Sequence, residues 1–272
     1  MQPTTALQLD QWIQLQECES TNELLMSGDY APGTIVTAQN QTSGRGRSGR
    51  RWRQSPQKAL YFSGIYAWQE PPGPLFSLAV GLAVLEALEK WPALKPHTPG
   101  LGLKWPNDLI RIARDNSLQK IGGILIEGKL QNSMWHSVVG IGLNWQGAPE
   151  ASQEDPISPG ALISQGSQKA NPDNAREGQD PESTSMQQFL PFLVERLNAG
   201  AAGYQRPDFL RDYLARDVLQ QRKVRLQEGK VRLQEGNETV ESRVSGINSE
   251  GSLVLENGTI ISDSARHLEI IQ

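Results

Sequence analysis

At 272 residues, with 37% hydrophobic side chains and a net charge of −4, the chain is globular and mildly acidic, which excludes a surface that is basic throughout and built for nucleic acid. No apolar run approaches the roughly 18 residues of a membrane span. The first residues also lack a basic-then-apolar leader, so a soluble cytoplasmic protein without membrane contact is expected. Cys18 is the only cysteine, which excludes an intrachain disulfide, and His97, His136 and His267 share no ligand spacing, so no protein-held metal is expected.

Ser20-Thr21-Asn22-Glu23 has the Ser-x-x-Glu spacing of a capping box and predicts a helix running into Leu24-Leu25-Met26. Thr34 to Ala38 reads as a strand. Residues 44–52 then run Gly-Arg-Gly-Arg-Ser-Gly-Arg-Arg-Trp, with Arg53 behind them. The glycines let the backbone bend and approach a ligand closely. Crowded guanidiniums repel each other unless something anionic binds, and each presents a planar fork suited to phosphate or carboxylate. Taken alone, the loop fits a polyanion carrying a base, an Arg/Gly-rich nucleic-acid segment, or a solvated basic hairpin. Gly44-x-Gly46-x-x-Gly49 also matches the dinucleotide fingerprint. No apolar helix follows it, and no acidic residue closes a strand about 20 residues on. No Gly-Lys-Ser/Thr follows either, so a Walker loop is excluded.

Leu75 to Leu88 is apolar on nearly all sides and predicts a buried helix. Leu101 to Trp105 predicts a short strand, stopped by the turn residues Pro106-Asn107-Asp108. Ile121–Ile126 and Ser137–Leu143 predict strands. Gly122, Gly123, Gly140 and Gly142 within them suggest that a ligand or another backbone lies against the sheet. Residues 146–185 are polar and predict a mobile insertion, most of all 165–185. Helices are expected over Met186–Leu197 and Asp208–Leu219. Beyond Leu219 the pattern becomes short strands, with turns at Asn248-Ser-Glu-Gly251 and Glu256-Asn257-Gly258. Lys223–Gly229 is repeated identically as Lys230–Gly236. A seven-residue copy would swap faces within one strand, so one copy is expected to form the first strand and the other to lengthen it or bulge out. The elements mix without a βαβ rhythm, which points to α+β.

Lys104-Trp-Pro-Asn-Asp108, Lys120-Ile-Gly-Gly-Ile-Leu-Ile-Glu127 and Val139-Gly-Ile-Gly-Leu-Asn144 accompany the Arg loop and Ser20-Thr21-Asn22. In this order and spacing the set closely resembles the biotin protein ligases, strongly over residues 15–145. The resemblance implies a mixed sheet with helices, like a class II synthetase domain, over 1–219. It implies a small SH3-like barrel over 220–272. It also implies the reaction: biotin and ATP, with Mg²⁺, form biotinyl-5′-AMP, and the acyl group passes to a lysine of a biotin carboxyl carrier protein, a subunit of acetyl-CoA carboxylase. By resemblance, Ser20, Thr21, Asn22 and Gln41 line the biotin pocket with Gly44, Arg45, Gly46, Arg47, Gly123, Gly140 and Gly142. Lys120 contacts the biotin carboxylate and α-phosphate. Arg47, Arg50, Trp52, Asn107 and Asn144 take the nucleotide. Asp108 either orients the site or helps the acceptor lysine lose its proton. Regulatory members carry a DNA-binding unit ahead of this domain. Fewer than twenty residues precede Ser20 here, so an enzyme-only form without DNA binding is expected, as a monomer or weak homodimer. Lipoyl and octanoyl transferases share the catalytic fold but lack the Arg loop followed by Lys-Trp-Pro-Asn-Asp.

Overall fold

The computed structural model describes residues 2–54, 58–152, 155–163, 181–220, 222–227, 240–262 and 267–271. Eight strands form a mixed sheet: β1 (Trp12–Cys18), β2 (Ile35–Gln41), β3 (Leu60–Trp68), β4 (Leu101–Lys104), β5 (Asp108–Ile112), β6 (Leu118–Gln131), β7 (Met134–Leu143) and β8 (Ser158–Pro159). Their order is β1-β2-β3-β7-β6-β5-β4, and β8 pairs with β6 beyond the end of β7. β1 and β2 are parallel and joined through α1 (Thr21–Ser27), whereas β2, β3, β7, β6, β5 and β4 pair antiparallel.

Both faces of the sheet's centre are covered, and β3 shows it: all nine of its residues are buried. One face carries α2 (Leu75–Lys90), whose helix formers point apolar side chains in every direction. Eleven of its residues are buried. α3 (Pro181–Gly203) packs behind it, and Asn198 of α3 bonds both backbone groups of Leu7. The other face carries α1, where Leu25 packs on Val36, Ile65 and Val138. The rest of that face is left open for the Arg loop.

Five antiparallel strands follow, in the order β12 (Ile260–Ile261), β11 (Leu253–Leu255), β10 (Val240–Ile247), β9 (Lys223–Gln227), β13 (His267–Ile271). Gly251 and Gly258 take positive φ of 80° and 85° at the two predicted turns. The first heptad copy supplies β9, and the second lies outside the described residues. Val224, Val244, Ile247, Leu253, Leu255 and Ile261 join the same apolar core as α2 and the main sheet.

Two expectations change. The helix expected to reach Leu219 is α4 (Phe209–Leu214) and stops there. Its downstream backbone is taken up by the edge of β4: Leu103 N–H donates to the Arg216 carbonyl at 2.8 Å and Val218 N–H to the Leu103 carbonyl at 2.7 Å. The polar stretch 146–185 is not one loose excursion. Residues 155–163 run beside β6, with Gly160 N–H on the Lys120 carbonyl and Leu162 fully buried. Residues 164–180 lie outside the described residues.

Trp105 ties the second sheet to the first. Its Nε1–H donates to the Gly251 carbonyl at 2.9 Å, out of contact with water. Trp105→Phe strands that carbonyl, and a loss of about 1–3 kcal/mol is expected in urea unfolding. An unchanged midpoint and slope would reject the bond as a source of stability.

Candidate active site

Ser20 caps α1, accepting the Glu23 N–H at 3.4 Å. The reciprocal half of the capping box is diverted, because the Glu23 carboxylate pairs with Arg45. The first turn of α1 is buried and bonded sideways. Gln41 Oε1 accepts from Thr21 N–H at 2.7 Å and from Thr21 Oγ1–H at 3.0 Å. Ser63 of β3 lies 2.8 Å from both Thr21 Oγ1 and Asn22 Oδ1. Asn22 Nδ2 donates to Glu127 at 2.9 Å. Gly140 beneath has no room for a Cβ, which would sit 2.3 Å from Asn22 Oδ1.

The Arg loop is a small hairpin. Trp52 N–H bonds the Gly44 carbonyl at 2.9 Å and Gly46 N–H the Arg50 carbonyl at 2.8 Å. Ser48 and Gly49 at its tip have φ of 55° and 75°, the left-handed region that glycine enters freely. It is preceded by β2, but its only helical turn, Arg47–Gly49, lies within the fingerprint and the next described element is the strand β3 rather than a helix, so the dinucleotide reading fails. The expected charge repulsion is relieved from within the protein. Arg45 is held between Glu23 and Glu127, the latter at 2.7 Å, and Arg53 is paired with Asp155. Trp52 lies on the sheet floor, where a Cβ at Gly142 would come within 2.7 Å of its ring and one at Gly123 within 3.1 Å. Lys120 Nζ stands 5.7 Å from the centre of that ring. The Trp52 Nε1–H is buried without a partner among the described residues.

A cluster of charges closes the other end. Lys104 and Asp108 face each other across the β4–β5 turn, and Asp108 binds Lys120 Nζ at 2.6 Å and lies 4.0 Å from Lys104 Nζ. Burial opposes the Asp108 charge, but Lys120, Lys104 and Arg50 outweigh it and hold the carboxyl below the usual carboxylate range. Burial pushes the Lys104 amine down, with Lys120 and Arg50 adding to this and Asp108 and Asp217 opposing it.

These groups line one cleft of about 830 Å³. It brings together Ser20, Thr21, Asn22, Gln41, Arg45, Gly46, Arg47, Arg50, Trp52, Asn107, Asp108, Lys120, Gly123, Gly140 and Gly142. Two expected residues do not line it. Gly44 closes the hairpin, and its Cβ would strike the Trp52 carbonyl at 2.9 Å. Asn144 is buried behind the cleft, its Nδ2 donating to the Gly160 carbonyl at 3.0 Å and to the Lys120 carbonyl at 3.3 Å. Asn107 lines the cleft, but its Nδ2 clamps the Ile124 carbonyl of β6 at 2.7 Å. Sequence reasoning assigned no role in the site to Ser63, Lys104, Glu127 or Asp155, and gave Glu23 only a helix-capping one. Ser63 did carry a signal, as a hydroxyl within the otherwise apolar run Leu60–Phe62 and Ile65–Trp68.

Residues 12–144, from β1 to the residue after β7, match the biotin/lipoate A/B protein ligase family. The biotin–[acetyl-CoA-carboxylase] ligase of Mycobacterium tuberculosis is 32% identical over 225 residues, 79% of this chain and 75% of that protein. The chain belongs to this family. The bifunctional ligase/repressor BirA of Salmonella typhimurium is 35% identical over 155 residues, and the matched part spans 54% of this chain but 44% of that longer protein. The biotin protein ligase of Aquifex aeolicus, solved in complex with biotin and ATP, shares the fold with a TM-score of 0.67 at 23% identity, over 97% of this chain and all of that one.

Asp217 lies beside β4 at the back of this charge cluster, only 6% exposed. Burial pushes its carboxyl up to about 6, against the pull of the Leu219 N–H and Lys104. The folded state therefore holds this proton more tightly than the unfolded one. The resulting stability is fully present below pH ~4 and is lost as the pH rises through about 6. Asp217→Asn removes that loss while keeping an oxygen for Leu219. The stability gap between variant and wild type is expected to shift in the variant's favour by about 2–3 kcal/mol between pH ~4 and pH ~8, read by urea unfolding. A gap that stays constant with pH would refute it.

Proposed function

We propose that the chain is an ATP-dependent ligase that joins biotin to a lysine of a biotin carboxyl carrier protein, by way of biotinyl-5′-AMP. One observation carries this reading: a single cleft joins a neutral hydrogen-bonding wall to a cluster of cations, with an indole and a guanidinium hairpin between them. Biotin has that composition, a polar ring at one end and a carboxylate at the other. The mycobacterial relative is named for this activity.

In this reading Ser20, Thr21, Asn22 and Gln41 meet the ureido ring above Gly140. Arg45, Gly46 and Arg47 fold over the biotin chain and phosphates. Arg50 and Asn107 flank the nucleotide, and the base packs on Trp52 over Gly123 and Gly142. Lys120 points at the reacting carboxylate and α-phosphorus. A biotin carboxylate oxygen bonds to the α-phosphorus, the bond to the β-phosphate bridging oxygen breaks, and pyrophosphate leaves. Two anions must meet for this, so fixed cations supply most of the stabilisation, and the cleft holds the reactants in line. In the second step a neutral lysine amine attacks the acyl carbon, AMP leaves, and the lysine proton passes to solvent. Asp108 is a weak proton acceptor because its neighbours hold its carboxyl low. Orienting Lys120 is therefore its role, rather than acting as base. Asn144 acts from behind, through the Lys120 carbonyl.

Mg²⁺ enters with the triphosphate. Among the described residues no group of three or more His, Cys, Asp or Glu could hold a metal, and Mg²⁺ ordinarily keeps water and phosphate ligands. Residues 220–272 form a second, SH3-like domain in this reading. The protein works in the cytoplasm as a monomer or weak homodimer. In this reading it has no membrane partner; no helix among the described residues is long and apolar enough to cross a membrane. It does not bind DNA, because its dense basic cluster faces the cleft and the net charge is acidic.

Labelled biotin and MgATP should yield pyrophosphate and, with a carrier domain added, a biotinylated lysine. Lys120→Ala should slow pyrophosphate release by about 100-fold or more, the size of one lost charge aimed at a transition state. Its thermal midpoint should stay near that of the wild type. Near-normal release from the folded variant would refute the role of Lys120, and no release from the wild type would refute the ligase reading.

A further inference from the structure

Glu127 stands on β6 opposite Val138 of β7, and neither of its oxygens is idle. Oε1 accepts from Arg45 of the hairpin at 2.7 Å, and Oε2 accepts from Asn22 of α1 at 2.9 Å. Its side chain is 21% exposed, whereas Arg45 is 44% exposed. Glu127 thus joins three separate elements at one carboxylate.

The chemistry of that contact is directional. An amide can present either its oxygen or its NH₂, and the hydroxyl of Ser63 accepts or donates and so does not decide between them. A carboxylate accepts only. Opposite Glu127, therefore, only the Asn22 NH₂ fits, and Asn22 Oδ1 is left on the side of Ser63 and Gly140, both of which line the cleft. The Leu125 carbonyl, also an acceptor only, lies at the long distance of 3.5 Å from the same Nδ2, so the 2.9 Å contact with Glu127 is the stronger of the two that set the amide. The second oxygen does for Arg45 what the first does for Asn22. The Arg45 guanidinium is divided between Glu23, beside Asn22 on α1, and Glu127 on the floor.

We infer that Glu127 is a positioning residue that sets the Asn22 amide as an acceptor in the pocket and ties the Arg hairpin to the same wall, so that the bound biotin ring and the closed hairpin depend on one carboxylate. This rests on the biotin reading above. An acceptor at Asn22 Oδ1 suits a ureido ring, whose two nitrogens are donors.

The test uses the full chain, with biotin alone as ligand. Biotin affinity is read by calorimetry, and hairpin closure by the rate of tryptic cleavage at residues 45–53 without ligand. Glu127→Ala should weaken biotin binding about tenfold, as expected when a buried polar contact is misdirected. It should speed cleavage up to about fivefold, the scale of a lost ion pair of this exposure. Glu127→Gln is the discriminating variant. It has one oxygen, and the charged guanidinium is the stronger claimant. Its NH₂ then faces Asn22 and turns that amide over. Biotin affinity should fall about as far as in Glu127→Ala, while cleavage stays within about twofold of wild type. A space-filling role would leave this near-isosteric variant unchanged. Wild-type affinity in Glu127→Gln, or a change in only one readout in Glu127→Ala, overturns the inference. If the wild type itself does not bind biotin, the biotin reading has failed and this inference falls with it, an outcome distinct from either.

Discussion

Gly140 and Gly142 lie two residues apart on β7, so both face the same side of the sheet. That side is the cleft, and Gly123 of β6 stands in register beside Gly142. A strand of ordinary residues would raise side chains here and push away everything that now touches the floor. Without them, Asn22 from α1 and Trp52 from the hairpin rest directly on backbone. Each glycine in a strand interior costs about 0.5–1 kcal/mol against alanine. The sheet tolerates this because its opposite face is fully engaged: Ile124, Ile141 and Leu143 alternate with the glycines and are buried in the core with α2.

The floor makes a flat site, and charge gives it polarity. At one end the groups are neutral, with Thr21, Gln41 and Ser63 bonded to one another. At the other, Lys104 and Lys120 converge on the single carboxylate of Asp108. With Arg50 beside them, three cations face Asp108 and the buried Asp217, which leaves a local positive excess among side chains that are mostly withdrawn from water, where charge acts strongly. The hairpin between the ends is handled differently. Arg45 and Arg53 each have carboxylate partners from other segments. Those pairs are exposed enough to be weak, so an entering anion can compete for the guanidiniums.

The motifs were legible because each is a local run whose meaning lies in spacing. Gly-Arg-Gly-Arg announces a tight basic turn, and Gly-Gly among branched residues announces a bare strand. What escaped was set by register or by distant partners. β3 shows no alternation because both of its faces are buried, so a period-two pattern never forms. The Lys104–Asp108 pair appears only once the β4–β5 turn places the two residues opposite each other. Glu127 reads as the polar end of an apolar strand until the hairpin, 82 residues earlier, brings Arg45 to it. Asn144, expected at the nucleotide, does not line the cleft, for a related reason. Its NH₂ donates to backbone carbonyls, and nothing in a Gly-x-Asn run reveals which way that side chain turns.

The short helix α4 shows how the two sheets meet at the chemistry. β4 lies at the end of the main sheet and would expose unpaired backbone groups. Residues 216–218 cover that edge, which requires the helix to end at Leu214 rather than continue. The covering segment sets Asp217 beside Lys104, and the chain then enters β9. From the second sheet the Gly251 carbonyl returns to Trp105, the residue after Lys104. The β4–β5 turn is therefore fixed by chain more than 110 residues downstream. Lys104 and Asp108 stand at its two ends. The cationic end of the cleft consequently depends on the docked second sheet, although none of that sheet's described residues lines the cleft.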